Sequence, residues 1–117
     1  MRQNSLFFWE FTQAPTAIAF SENNAFPDVY RDDLCVALFG GAYVKGRTTK
    51  GKKIVKIKVD DQDRVLSYDE FCVYTGDGPA SPCGLAFGPD GLYFSDLFGE
   101  EENNKHQGNV FKIKPKT

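Results

Sequence analysis

The stretch PCGLAFGPDGLYFSD, residues 82–96, contains two short apolar runs separated by the tetrapeptide Gly88-Pro89-Asp90-Gly91. Proline presets φ for a turn, aspartate hydrogen-bonds to the nearby backbone, and glycine accepts positive φ, so this tetrapeptide predicts a tight turn. Short apolar runs on both sides of such a turn are typical of antiparallel strands. The stretch therefore predicts a β-hairpin.

Three segments of the chain recur in the same order, and the predicted hairpin belongs to the second copy of this repeat. The offsets between matched segments fall along the chain, from 67 (82 minus 15) to 58 (92 minus 34) to 56 (109 minus 53). Changing offsets place the length differences in loops, where extra residues cost little free energy. The matched segments are PTAIAFS (15–21) with PCGLAFG (82–88), LCVA (34–37) with LYFS (92–95), and KIVKIK (53–58) with NVFKIK (109–114).

The residue pattern within these segments predicts strands and their burial. Residues 109–114 alternate between polar and apolar side chains except at Val110, and residues 53–59 do so except at Ile54. A period of two with one polar face is typical of a half-exposed strand. Residues 34–38 and 92–94 are almost continuously apolar. Such runs predict inner strands that are covered on both faces.

The first copy of the repeat continues into a predicted fourth strand at residues 71–74, after a loop rich in aspartate, whereas the second copy has no fourth strand. Units of four antiparallel strands are the blades of β-propellers. The sequence therefore predicts an all-β fold made of propeller blades. We expect an outer strand at residues 5–13, a first blade at 14–75, and a second blade at 76–117 that lacks its fourth strand.

Two blades cannot close a propeller, because closure takes about four to eight of them. The chain is thus expected either to belong to a longer protein or to assemble with other copies. Three copies would supply six blades, and the aromatic run at residues 5–11 would then complete the unfinished blade of a neighbour. Alone, two blades would leave apolar faces exposed, so a truncated fragment that oligomerises is one interpretation.

Composition and charge exclude several classes of protein. The chain has 117 residues, of which 41% are apolar and 15% aromatic, and this is typical of a globular domain. Its formal net charge of −2 argues against a general affinity for nucleic acid. No apolar run approaches the length of a membrane span, and residues 6–11 are too short and too polar for a signal peptide, so the sequence leaves the compartment open.

The three cysteines, Cys35, Cys72 and Cys83, lack the spacing of a metal site or a redox motif. Buried free thiols are the simplest interpretation. A disulfide between Cys35 and Cys72 remains an alternative at this point.

Loops that join the second and third strands of a blade, or successive blades, lie at one mouth of a propeller, where ligands usually bind. In the loop at residues 39–52, Lys45 and Arg47 could pair with an anionic cofactor or a sugar acid. Solvated loop charges are the alternative. In the loop at 97–107, Glu100 to Glu102 could help to bind a hard cation and His106 could act as a base, although surface side chains would give the same sequence.

The repeat resembles a known family. The segments PCGLAFGPDGLYFSD (82–96) and GNVFKI (108–113) are similar to the last blade of glucose/sorbosone dehydrogenases, and FPDVYRDDLCVA (26–37) with KIVKI (53–57) is similar to the preceding blade. The resemblance covers roughly residues 14 to 115.

This resemblance implies a six-bladed propeller that uses pyrroloquinoline quinone (PQQ) and calcium to oxidise a sugar hydroxyl, in a periplasmic or secreted protein. It places the catalytic base and the calcium ligands in upstream blades, so no catalytic residue and no metal ligand is assigned in this chain. Where the family commonly carries basic residues for the cofactor, this sequence has Phe39–Val44 and Ala80–Cys83. The alternative interpretation is a non-catalytic propeller module that binds a protein or a carbohydrate.

Overall fold

The computed structural model describes residues 13–21, 33–41, 45–46, 51–97 and 108–114, and these residues form β-strands without any α-helix. The predicted all-β fold is therefore confirmed. The predicted outer strand at residues 5–13 lies outside the described residues except for Gln13. The strands are β1 (Pro15–Phe20), β2 (Leu34–Leu38), β3 (Lys53–Val59), β4 (Val65–Val73), β5 (Pro82–Gly88), β6 (Gly91–Asp96) and β7 (Asn109–Ile113).

The strands form two antiparallel sheets whose strands follow the order of the chain. Sheet 1 has the order β1-β2-β3-β4, and sheet 2 has the order β5-β6-β7. The first strand of sheet 2, β5, contacts β1 and β2 of sheet 1. A hydrogen bond joins the two first strands, since Thr16 Oγ1 lies 3.3 Å from the carbonyl oxygen of Pro82. The arrangement is consistent with two neighbouring blades that place their first strands side by side.

The strand registers reproduce the sequence repeat residue by residue. The pair Val36–Val55 in sheet 1 corresponds to Phe94–Phe111 in sheet 2, at the predicted offsets. Even the irregularities agree, because a register shift occurs between Pro15 and Ala17 and again between Pro82 and Gly84. The repeat in the sequence is therefore a repeat of backbone geometry.

Each sheet has two faces with different side chains. We call the face that carries Ile18, Val36 and Val55 the front face of sheet 1, and its equivalent with Leu85, Phe94 and Phe111 the front face of sheet 2; the opposite sides are the back faces. The front face of sheet 2 packs on the back face of sheet 1. The interface consists of buried Cys35, Ile54 and Leu92, with partly buried Phe71, Cys72, Leu85, Phe87, Phe94 and Ile113 around them.

The back face of sheet 1 accepts these large side chains because its own residues near β5 are small. Ala17 and Ala19 in β1 and Ala37 in β2 lie on this face, and Ala37 is fully buried. On the front face of sheet 1, a second cluster over β2 and β3 is buried. At β1 the same front face remains open, with Ile18 and Phe20 exposed over 65% and 54% of their surface.

The predicted burial of the inner strands is confirmed for β2 and only partly for β6. All residues of β2 are buried. In β6, Leu92 is buried but Tyr93, Phe94 and Ser95 are half-buried.

The fourth strand of sheet 1 is longer than predicted, since it spans Val65–Val73 rather than residues 71–74. The turn before it explains the difference. The carboxylate of Asp60 accepts hydrogen bonds from the backbone amides of Gln62 and Arg64, both at 2.9 Å, and from Arg64 Nε at 2.7 Å. This compact turn closes the hairpin within residues 60–64, so the next strand begins at once.

The three cysteines are free thiols, as predicted. A Cys35–Cys72 disulfide is excluded because β3 lies between their strands, which separates the two Cα atoms by about 10 Å, whereas a disulfide needs less than about 7 Å. Burial raises the pKa of the Cys35 thiol to about 12, so this side chain behaves as a small apolar group.

Among the described residues, no helix is long and apolar enough to cross a membrane.

We expect Leu92→Ala to lower the free energy of unfolding by about 2–5 kcal/mol, because Leu92 is fully buried between the sheets and its truncation leaves a cavity. Leu66→Ala is the control, since Leu66 is 62% exposed in β4 and should cost less than about 0.5 kcal/mol. Urea unfolding measures both changes. Equal costs for the two variants would show that the sheets do not pack through Leu92.

Candidate functional site

The predicted mouth loops meet at one end of the two sheets. The pairs Leu38–Lys53 and Lys53–Val73 place the loops at residues 39–52 and 74–81 at the same end of sheet 1. The pairs Pro82–Asp96 and Asp96–Asn109 place the loop that follows β6 at the corresponding end of sheet 2. We call this end the mouth.

Two of these loops are joined directly by backbone contacts. Lys45 forms an isolated antiparallel bridge with Pro79, and the amide of Gly46 donates to the carbonyl of Gly78 at 3.0 Å. The Lys45 residue is exposed at this junction. Its proposed partner in ligand binding, Arg47, lies outside the described residues, so the structure places only one of the two predicted basic residues at the mouth.

Beneath this junction lies a buried lysine that the sequence analysis did not single out. Lys52 is 1% exposed, and its ammonium donates a hydrogen bond to the carbonyl of Gly46 at 2.7 Å. The same ammonium lies 5.7 Å from the centre of the Tyr74 ring, within the range of a cation–π contact. These contacts compensate part of the cost of removing a charge from water.

Burial lowers the pKa of Lys52, and the negative charge of Asp96 partly opposes this effect. Lys52 therefore joins the two sheets electrostatically, because Asp96 is the last residue of β6 in sheet 2. Asp96 is itself buried, and both of its carboxylate oxygens accept from the backbone amide of Ser81, at 3.0 and 3.1 Å. The carboxylate thus holds the start of β5 against the end of β6.

The segment between the sheets is also held by Tyr74. The Tyr74 hydroxyl accepts a hydrogen bond from the amide of Gly78 at 3.0 Å, and the Tyr74 amide donates to the carbonyl of Lys52 at 3.0 Å. A Cβ atom at Gly76 would lie 2.5 Å from the Tyr74 hydroxyl oxygen, so a side chain at this position would displace the end of the Tyr74 side chain. Tyr74 therefore connects the buried lysine to the loop that carries Pro79.

Left-handed backbone conformations are concentrated at the mouth. Gly51 has a φ of +83°, and a Cβ atom at this position would approach Gly40 Cα to 2.3 Å. Lys52 follows with a φ of +56°, which is uncommon for a residue other than glycine. Gln13 supports this close approach, because its side-chain oxygen accepts from the amide of Gly51 at 2.9 Å. The contacts of Lys52 and Gln13 hold a backbone shape that is costly by itself.

One of the loops at the mouth, at residues 39–52, contains lysine and arginine but no acidic residue. Its basic residues are Lys45, Arg47, Lys50 and Lys52. Since Lys52 is buried and close to Asp96, it serves to position the loop. Lys45 is exposed and can contact a ligand. The arrangement can hold an anion, and a carboxylate fits the ammonium group of Lys45.

The other predicted candidates, Glu100 to Glu102 and His106, lie outside the described residues. Ser81 is buried at the start of β5, and its hydroxyl has no hydrogen-bond partner among the described residues. Ser95 lies 3.5 Å from Cys83 Sγ through its hydroxyl, away from any base in the described part of the chain. Within the described ranges, no group of three or more potential metal ligands is present.

A separate charged cluster lies at the end of sheet 1 opposite the mouth. Asp33 is buried just before β2, with one carboxylate oxygen 2.6 Å from Lys58 Nζ and the other 3.6 Å from Lys56 Nζ. Lys56 also lies 3.6 Å from the exposed Asp69. Both signs are balanced within this cluster, so it has no open charge for a ligand and stabilises the ends of β2, β3 and β4.

Sequence reasoning missed Lys52, Asp96 and Tyr74 for identifiable reasons. Lys52 lies in a run of basic residues that looks like a solvated loop, and only the glycine before it hints at a special backbone position. Asp96 ends an apolar strand, and its equivalent in sheet 1 is the apolar Leu38. This exchange of leucine for aspartate in the repeat is the signal that could have indicated a role at the mouth.

Comparisons with known proteins do not add an identity to this geometry. No protein-family model, no curated protein and no solved structure matches the chain. The resemblance to glucose/sorbosone dehydrogenases therefore stays a prediction from the sequence.

We expect Lys52→Met to destabilise the protein by about 1–3 kcal/mol at neutral pH, because the Gly46 carbonyl loses its buried donor. Lys114→Met is the control, since Lys114 is exposed after β7 and its replacement should cost less than about 0.5 kcal/mol. Chemical denaturation measures both. Equal effects of the two variants would contradict the assigned role of Lys52.

The lowered pKa of Lys52 also fixes the sign of a pH effect. Between this lowered pKa and 10.5, the unfolded chain binds more protons at Lys52 than the folded chain, so stability rises with pH in that window. The stability difference between wild type and Lys52→Met should therefore widen as the pH approaches 10.5. The cysteines change the stability with pH in the opposite direction. Both proteins contain the same cysteines, so this effect cancels when one stability is subtracted from the other.

Proposed function

We propose that this chain is a non-catalytic β-propeller module that binds a carboxylate-bearing ligand, such as a sugar acid, at its mouth. The observation that carries the proposal is the position of Lys45, which is exposed on a basic loop that is joined to the neighbouring loop at Pro79 and Gly78. A cation on a fixed loop binds an anion with a smaller loss of conformational entropy than a cation on a mobile one.

The propeller part of the proposal is supported by the repeated registers and by the packing of one sheet's front face on the other's back face. Propellers place ligands at the mouth formed by the loops between blades. The buried network of Lys52, Tyr74 and Asp96 lies directly under these loops. Such a network favours a preformed binding surface.

The absence of catalysis is proposed from the residues at the start of β5. The resembling family commonly carries arginines there, which contact the carboxylates of the quinone. In this chain Ala80 and Ser81 are buried, and the Ser81 amide is occupied by Asp96. These positions therefore offer no basic group to a quinone. Among the described residues of the mouth loops, Lys45 is the exposed cation that can contact a ligand.

The second candidate is a segment of a PQQ-dependent sugar dehydrogenase. It is favoured by the resemblance of residues 14 to 115 and by the exposed position of Lys45 at the mouth, where Lys45 and Arg47 would pair with the carboxylates of the quinone. Calcium and the catalytic base would have to come from other blades. In this case the chain would contribute cofactor contacts and not the chemistry.

One titration tests both candidates. Gluconate and PQQ with calcium are titrated into the full chain by calorimetry, and a dye-linked assay with glucose runs in parallel. We expect binding to weaken about tenfold in Lys45→Ala, which corresponds to one charge-assisted hydrogen bond of about 1.4 kcal/mol. Lys114→Ala is the control, because Lys114 is also exposed but follows β7 at the end away from the mouth.

The outcomes separate the two candidates. Gluconate binding that depends on Lys45 without dye reduction supports the binding module. Glucose-dependent dye reduction that requires the quinone supports the dehydrogenase segment. Binding that is equally weakened in both variants, or no binding of either ligand, would rule out the mouth as the site.

A further inference from the structure

The interface between the two sheets shows which kind of surface each face accepts. On the front face of sheet 2, Leu85 and Phe87 project from β5, and β5 contacts β1 and β2. The receiving back face of sheet 1 carries the small residues Ala17, Ala19 and Ala37. Large side chains of a first strand thus pack on a patch of small side chains in the preceding sheet.

Equivalent positions occur a second time in the chain, with Tyr93 in the place of Cys35, and neither surface meets its counterpart among the described residues. The positions equivalent to Leu85 and Phe87 are Ile18 and Phe20, which are exposed on the front face of β1. The positions equivalent to the three alanines are Gly84, Ala86 and Ser95 on the back face of sheet 2. Ala86 is exposed, and nearby Val110 on this back face is 72% exposed.

One polar contact repeats as well. Thr16 Oγ1 lies 3.3 Å from the carbonyl of Ala37 within sheet 1 and 3.3 Å from the carbonyl of Pro82 in sheet 2. Its equivalent, Cys83, makes the corresponding contact within sheet 2, with Sγ 3.7 Å from the carbonyl of Ser95. Within the chain, Pro82 of sheet 2 lies next to Thr16 of sheet 1. If a further sheet docked on sheet 2, its Pro15, which is the equivalent of Pro82, would lie next to Cys83 in the same way.

We propose that a second copy of this chain docks head-to-tail on the first. Ile18 and Phe20 of one copy pack on the patch of Gly84, Ala86 and Ser95 of the other, in the way that Leu85 and Phe87 pack within the chain. The occupant is a second copy because the chain itself carries both complementary surfaces, one at each end of its pair of sheets. This association depends on the repeat of the sheets and not on the ligand that the mouth binds.

The two docking surfaces are different, so the contact is heterologous and each copy can bind one neighbour on either side. Each copy adds two sheets. Closed propellers have about four to eight blades, so a ring would contain two to four copies. A mouth built from several copies would repeat Lys45 around its rim.

Solution mass of the full chain, measured by light scattering after size exclusion, tests the proposal. The wild type is expected to form a discrete species of two to four times 13.1 kDa. Phe20→Asp and Ala86→Arg should each lower the mass to that of the monomer, because a buried charge or a bulky side chain blocks the interface. Leu66→Asp is the matched control, since Leu66 is 62% exposed on β4, away from both surfaces.

Mixing the two blocked variants gives the decisive result. Phe20→Asp retains an intact back face on sheet 2, and Ala86→Arg retains an intact front face on sheet 1. An equimolar mixture should therefore form a heterodimer and no larger species. A monomeric wild type, a Phe20→Asp variant with the mass of the wild type, or a mixture that stays monomeric would overturn head-to-tail docking. Circular dichroism checks that each variant remains folded.

Discussion

The structure depends on the packing of large side chains from one sheet on small side chains of the next. The registers within each sheet determine which residues share a face, and they place Leu85, Leu92 and Phe94 on one side of sheet 2. On the opposing side of sheet 1, Ala37 leaves room for these side chains. Close packing of this kind fixes the distance and the orientation of the two sheets.

The mouth follows from that packing. When β5 lies beside β1, Asp96 at the end of β6 comes within electrostatic range of Lys52, which precedes β3. The lysine can remain buried because the Gly46 carbonyl and the Tyr74 ring, both from loops that adjoin sheet 1, lie against its ammonium. The core between the sheets and the position of the mouth loops are therefore parts of a single arrangement.

Most of the fold could be predicted from the sequence, because the repeat carries information that single strands lack. The offsets found by matching PTAIAFS with PCGLAFG also relate the observed strand pairs, and even the register shift next to Pro15 recurs next to Pro82. The start of β4 was not predictable in this way. It depends on the side chain of Asp60 closing a turn, and residues 65–70, VLSYDE, do not alternate regularly between apolar and polar side chains.

The candidate site was predicted less completely. The positions of the loops could be inferred from the order of the strands, and the structure places Lys45 in a loop that contacts Pro79. The burial of Lys52 could not be inferred from the sequence, because a lysine in a basic run gives no sign that it will be removed from water. Its environment is created by residues far apart in the chain, namely Tyr74 and Asp96. Such long-range contacts exist only after the sheets have packed.

The measurement that tests the central claim most directly is a nuclear Overhauser spectrum of the folded chain in solution. The packing of sheet 2 on sheet 1 predicts cross-peaks between the methyl groups of Ile54 and Leu92, and between the side chain of Thr16 and Pro82. Cross-peaks between Val36 and Val55, which are paired within sheet 1, serve as the reference. If the reference peaks were present and the peaks between sheets were absent, the blade-like packing described here would be contradicted.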